Sequence, residues 1–111
     1  RGQEGDDLGA RLARAFEEVF ERGIRRVLIV GSDHPTLPAD RLAEGLERLH
    51  QVDVVFGPTD DGGYYAVGLR DAARERAAGL FSDVPWSTRD VLEATRANAR
   101  ALGLSVGTLD A

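Results

Sequence analysis

The sequence predicts a three-layer α/β/α domain built on a mixed, mostly parallel sheet, and three observations carry that expectation. Segments with helical apolar periodicity alternate with short apolar runs, an order that requires an open sheet covered on both faces. The runs are short, with IRRVLIV bounded by glycines and the β-branched VDVVF closed by Gly57 and Pro58. One run follows its predecessor after a turn-rich loop rather than a helix, which places an antiparallel neighbour or an edge strand among otherwise parallel ones.

The elements follow in order. From Leu8 to Arg22, Leu8, Leu12, Phe16, Val19 and Phe20 recur at steps of three and four, giving an amphipathic helix with Gly23 at its C-terminal cap. Ile24 to Val30 (IRRVLIV) reads as a buried strand. Pro38 suits the first turn of a second helix, whose Leu42, Leu46 and Leu49 share a stripe and which ends near His50. Val52 to Phe56 is a β-branched strand, Asp60 to Gly63 a turn, and Tyr64 to Leu69 a third strand followed by a short helix over 71–78. Ser87, with Asp90 three residues on, resembles a capping box for a helix whose Val91, Leu92, Thr95, Ala99 and Leu102 share a face. Gly103 closes that helix, and Leu104 to Leu109 supplies the last strand.

Composition bounds the chemistry. The 111 residues suit one domain with one modest core, and 42% apolar with 30% charged residues is a folding composition. A net charge of −5, with no basic patch, argues against general nucleic-acid binding. The chain has no cysteine, so thiolate metal sites, disulfides and cysteine nucleophiles are excluded. All 14 basic residues are arginine, which removes Schiff-base, P-loop-lysine and Ser-Lys chemistry. No apolar run approaches the roughly 20 residues of a membrane span, and no signal sequence is visible, so a cytoplasmic location is the default expectation.

In open α/β sheets ligands bind beyond the carboxyl ends of the strands. Two loops meet that condition, Gly31-Ser32-Asp33-His34-Pro35 and Gly57-Pro58-Thr59-Asp60-Asp61-Gly62-Gly63-Tyr64-Tyr65. Both place carboxylates beside glycines. A Mg²⁺ or Mn²⁺ ion is typically held by one or two carboxylates together with substrate phosphates, and Asp33 with Asp60 or Asp61 could supply them; each loop also reads as a plain turn. Ser32 and His34 flank Asp33 and are candidates for the same bound group, with His34 equally readable as a loop residue. No G-x-S-x-G elbow or HExxH accompanies them, which excludes a serine hydrolase and a zinc hydrolase of those types. His50 reads as a dipole partner at a helix end. Trp86, the sole tryptophan, with Ser87 and Thr88, forms either a hydrophobic anchor beside an N-cap or an aromatic and hydroxyl wall to a substrate. Tyr64 and Tyr65 must point to opposite faces of a strand. Arg11 and Arg14 belong to a solvated helix face, with a phosphate role for Arg11 as the alternative, and Gly2, Gly5 and Gly9 match no phosphate-loop spacing.

Four ordered motifs carry a family resemblance: QEGDDLGARLARAF, VLIVGSDHPTLP, DVVFGPTDDGGYYAVGL and LFSDVPWSTRDVLEAT. Together they cover nearly the whole chain, which resembles bacterial proteins of the DUF2064 glycosyltransferase family. That resemblance implies a GT-A-like nucleotide-diphospho-sugar transferase fold, similar to that of molybdenum-cofactor and phospholactate guanylyltransferases. It further implies that Asp33 is the metal-nucleotide aspartate, that Asp61, Gly62, Gly63 and Tyr64 line the donor-sugar or acceptor side, and that Trp86, Ser87 and Thr88 form a substrate-side loop. Since His34 and Pro35 follow Asp33, the second metal contact would be another residue or water. The family's domain begins with strand and nucleotide-loop units upstream of Arg1, so the resemblance implies that residues 1–111 are its C-terminal, metal- and acceptor-side part.

The implied activity is metal-dependent transfer from a nucleotide-sugar donor to a small-molecule acceptor, with Mg²⁺ or Mn²⁺ at Asp33 neutralising the diphosphate and Asp61, or in competition Asp60, orienting or deprotonating the acceptor. Two alternatives are a nucleotidyltransferase, which would release pyrophosphate, and a non-catalytic interaction module that self-associates through an exposed sheet edge.

Overall fold

The computed structural model describes residues 4–31, 39–86 and 88–109. Helix α1 (Glu4–Glu21) leads to strand β1 (Arg26–Val30), helix α2 (Ala39–Arg48), strand β2 (Val54–Pro58) and strand β3 (Tyr64–Arg70). A 3-10 segment (Asp71–Arg76), helix α3 (Ala77–Leu80), helix α4 (Val91–Ala101) and strand β4 (Val106–Thr108) complete it. The sheet order is β1-β3-β2-β4. β3 pairs antiparallel with β1 and with β2, whereas β2 pairs parallel with β4. Strands β1, β2 and β4 therefore run one way and β3 alone runs against them.

This is the expected mixed three-layer class, with two refinements of strand placement. The short turn after β2 sends β3 back along β2, and it lies inside the sheet rather than at an edge, between β2 and β1. The parallel strands are consequently mostly not neighbours, and two of the three ladders are antiparallel. The run IRRVLIV begins its strand only at Arg26 and is half-buried, because β1 is an edge strand with one partner among the described residues.

The two faces differ in weight. Phe16 and Phe20 of α1, Val54 and Phe56 of β2, Val67 and Leu69 of β3, and Leu80 and Phe81 form the main core, with α1, α3 and α4 covering this face. Full burial of side chains of this size stabilises by about 1.5–3 kcal/mol each. Phe81 stacks on Phe16 with ring centroids 5.9 Å apart, joining α1 to the segment after α3. Among the described residues the other face holds α2 alone, over a smaller cluster of Leu49, Val55 and Leu109. Close approach there depends on Gly45, where an added Cβ would stand 3.2 Å from Leu28 and 3.3 Å from Leu109.

Boundaries moved where local chemistry intervened. The helix expected over 71–78 is a 3-10 segment that becomes α-helical only at Ala77. Helix α4 starts at Val91, later than expected, with Asp90 as an N-cap residue that makes no side-chain cap bond; the capping box expected at Ser87 lies outside the described residues. Gly23 and Gly103 close α1 and α4 in left-handed backbone as their sequence positions predicted.

A polar clamp ties the amino ends of β2 and β4 to the end of β3. Asp53 accepts from Arg70 Nε at 2.8 Å with one oxygen, and from the Ser105 backbone N–H at 3.0 Å with the other. The Ser105 hydroxyl accepts from the Asp53 amide at 2.9 Å. Burial alone would raise the Asp53 carboxyl, but the Ser105 N–H and the Arg70 guanidinium outweigh it and hold the group below its usual value. The folded-state value being the lower one, this stabilisation is complete above the unfolded-chain value of about 3.9 and is lost as pH falls through the folded value. Replacing Asp53 by Ala is expected to cost about 2–3 kcal/mol in urea unfolding at pH 7, and the gap between variant and parent is expected to close as pH is lowered below 4.

Candidate functional site

The carboxyl ends of β1 and β2 and the beginning of β3 meet at one edge of the sheet. A cavity of about 350 Å³ opens there, walled by Leu8 and Leu12 of α1, Gly31 after β1, Tyr64, Trp86 and Val91. That volume lies in the range of small-molecule sites. The structure thus brings Tyr64 and Trp86, expected from separate motifs, to one cavity beside the residue that precedes Ser32 and Asp33. Ser32, Asp33, His34 and Ser87 lie outside the described residues.

The geometry at Tyr64 and Tyr65 comes from a break in the ladder. Gly57 pairs with Ala66, but Pro58 pairs with Tyr64, so Tyr65 is an extra residue on β3. The two rings go to opposite sides, as strand geometry required. Tyr64 packs on Phe56 with centroids 5.2 Å apart, while Tyr65 lies over Gly57, where an added Cβ would be 2.4 Å from its ring. On that far side Arg41 of α2 donates to the Tyr65 hydroxyl at 3.3 Å. The Tyr64 hydroxyl is buried with no hydrogen-bond partner among the described residues, and the nearby Thr95 hydroxyl donates to the Val91 carbonyl at 2.8 Å. Burial pushes the Tyr64 phenol up to about 12, against a smaller lowering influence from Thr95.

Trp86 is fixed against α1 by a close approach at Gly9. A Cβ there would lie 2.5 Å from the Phe81 carbonyl oxygen and 3.5 Å from Trp86 Nε1. The glycine set aside in sequence for want of a phosphate-loop pattern therefore admits the Trp86 segment to the helix. Phe81 also faces the indole, with centroids 6.4 Å apart. Trp86 thus packs against Phe81 and also lines the cavity.

The Asp60–Gly63 turn is held by its own side chains. The Thr59 hydroxyl donates to Asp61 Oδ1, and the Gly63 amide donates to that oxygen and to the Thr59 hydroxyl, each at 3.2 Å. Gly62 carries φ +92°, and a Cβ on it would fall 1.9 Å from the Arg89 carbonyl oxygen. Its own carbonyl accepts from the Leu92 amide at 2.9 Å, satisfying one open donor in the first turn of α4. Asp60 and Asp61 are exposed. Thr88 donates to the Pro85 carbonyl at 2.6 Å and accepts from the Asp90 amide at 3.2 Å, so its hydroxyl shapes the entry to α4.

Among the described residues no three His, Asp or Glu side chains gather around a common point that could hold a metal ion. Sequence reasoning missed the apolar contribution of Leu8 and Leu12 to the cavity and the clamp at Asp53. The first was legible only as helix periodicity. The second depends on Ser105, which is remote in sequence.

Two substitutions separate packing from ligand roles here. Tyr64→Phe removes a buried hydroxyl without a partner and is expected to leave the denaturation midpoint unchanged or raised, while the absorbance titration of the parent shows a phenol ionising near 12 that this variant lacks. Gly62→Ala is expected to destabilise by about 1–3 kcal/mol in chemical denaturation, through strained backbone and a displaced turn.

Comparison with known proteins gives this geometry a context. The family described as uncharacterized proteins conserved in bacteria, DUF2064, matches residues 1–88. A crystal structure from Desulfovibrio desulfuricans G20, of a presumed nucleotide-diphospho-sugar transferase, is similar with a TM-score of 0.83 and 32% sequence identity. The likeness covers 99% of this chain and 46% of that one, so the chain spans about half the length of the solved protein. No curated protein matches it. No described helix is long and apolar enough to cross a membrane. With the family model matching most of its length, and a fold shared throughout with a presumed sugar-nucleotide transferase, the chain belongs to the DUF2064 family.

Proposed function

We propose that the chain provides the metal- and acceptor-side part of a metal-dependent glycosyltransferase that uses a nucleotide-diphospho-sugar donor. The observation that carries this reading is the cavity at the carboxyl ends of β1 and β2, where Tyr64 and Trp86 stand with Gly31, the residue that precedes Ser32 in sequence. The fold shared with a presumed transferase of that class supports it.

Within this reading the two aromatic rings form a wall on which a sugar or acceptor ring packs, and the apolar sides of Leu8, Leu12 and Val91 exclude water from it. Asp61 is oriented by Thr59 and Gly63, and Asp60 beside it is the competing group for directing an acceptor hydroxyl; a general base in that place contributes about 10²–10⁴ in rate. Ser32 and His34 belong to the donor side of the reading, Gly62, Gly63, Ser87 and Thr88 to the substrate side. Asp33 is its cation contact, with Mg²⁺ or Mn²⁺ as the ion to be tested.

Calorimetric titration with UDP- and GDP-sugars, with and without Mn²⁺, tests the proposal. Expected is saturable binding that Mn²⁺ strengthens in the parent but not in Asp33→Asn, together with a change in the emission of Trp86, the sole tryptophan. A folded chain showing neither heat nor fluorescence change with either donor would refute a donor site within these residues.

A further inference from the structure

At the opposite end of the sheet the charge pattern inverts. Arg26, the first residue of β1, is paired directly across the ladder with Arg70, the last of β3. Like charges facing one another across two strands oppose pairing. Both guanidinium groups also converge on one residue. Arg26 lies 3.4 Å from the His50 ring Nδ1, and Arg70 donates to the His50 carbonyl at 3.4 Å.

The carboxylates nearby do not balance this set. Asp53 neutralises Arg70 at 2.8 Å, and Asp71, on the rim, pairs with Arg74 at 3.4 Å. Arg25 and Arg26 have no carboxylate partner among the described residues. The chain as a whole carries a net charge of −5, so two adjacent uncompensated cations beside a third are a local reversal of its field. Between Arg25, Arg26, His50, Arg70 and Asp71 the surface opens into a cleft of about 350 Å³.

We propose that this cleft binds a phosphoryl group, free or esterified, at the end of the sheet remote from the candidate site. Arginine suits this chemistry because its planar fork presents paired N–H donors to a tetrahedral anion. The two forks without a carboxylate partner, Arg25 and Arg26, address different oxygens of one group, with Arg70 and His50 lining the same cleft. Binding would also relieve the repulsion built into the Arg26–Arg70 pair. The cleft exceeds the size of a phosphate ion, leaving room for the remainder of an ester.

The test is calorimetric titration of the 111-residue chain with inorganic phosphate and, separately, phenyl phosphate, at fixed ionic strength. Expected is saturable binding that Arg26→Gln and Arg25→Gln each weaken by about tenfold or more, and that Arg14→Gln, the same charge change on the exposed face of α1, leaves within twofold. Circular dichroism establishes that each variant is folded, and using two cleft variants keeps the test informative if one is not. Preference for phenyl phosphate assigns the ligand as an ester, and preference for inorganic phosphate as the free anion. Absence of saturable binding by the parent overturns the proposal, as does equal weakening by all three substitutions or weakening by none.

Discussion

Strand β3 runs against its three companions, and both of its ladders are antiparallel. Its residues 65–69 are buried, so its position is fixed from both faces as well as from both sides. The other elements take their places from it. β1 and β2 run parallel to each other only because β3 lies between them. The turn that starts it caps α4 through the Gly62 carbonyl, and the residue that ends it, Arg70, anchors the Asp53 clamp. A single reversed strand thereby connects the candidate site at one end of the sheet with the arginine-lined cleft at the other.

The bulge at Tyr65 shows how a small irregularity distributes function. Without it Tyr65 would share a face with Val67 and Leu69, and Tyr64 would lie on the side of α2. The extra residue exchanges them, so that Tyr64 reaches the cavity beside Trp86 and Tyr65 fills the space over Gly57. A side chain at Gly57 would eject the Tyr65 ring, and with it the contact to Arg41. The cavity wall is therefore set in part by Gly57 and Arg41, which lie outside its lining.

Much of the fold was legible because it rests on periodicity and punctuation. The stripe Leu12, Phe16, Phe20 and the caps at Gly23 and Gly103 translate directly into α1 and the end of α4. Strand order was less accessible, since nothing in the run Tyr64 to Leu69 says which neighbours it takes; only the shortness of the preceding turn pointed to an antiparallel partner. The site was legible in its aromatic members and its loops, because glycine and aspartate after a strand are local signals. Gly9 and Ser105 were not, since their meaning depends on Phe81 and Trp86 in one case and Asp53 in the other, contacts made across long stretches of chain. The like-charged pairing of Arg26 with Arg70 was invisible for the same reason.

Strand order also governs how the chain closes on itself. β2 and β3 are joined by the short 59–63 turn, whereas β3 must find β1 across the whole of α2, and β4 must reach β2 across α3 and α4. Closing a longer loop costs more chain entropy before any contact rewards it, so the β2–β3 hairpin is the ladder with the smallest entropic barrier. Both remaining strands add to edges that this hairpin presents, β1 to β3 and β4 to β2. The Thr59, Asp61 and Gly63 hydrogen bonds thus shape a loop of the candidate site and also the corner from which the sheet grows outward in both directions.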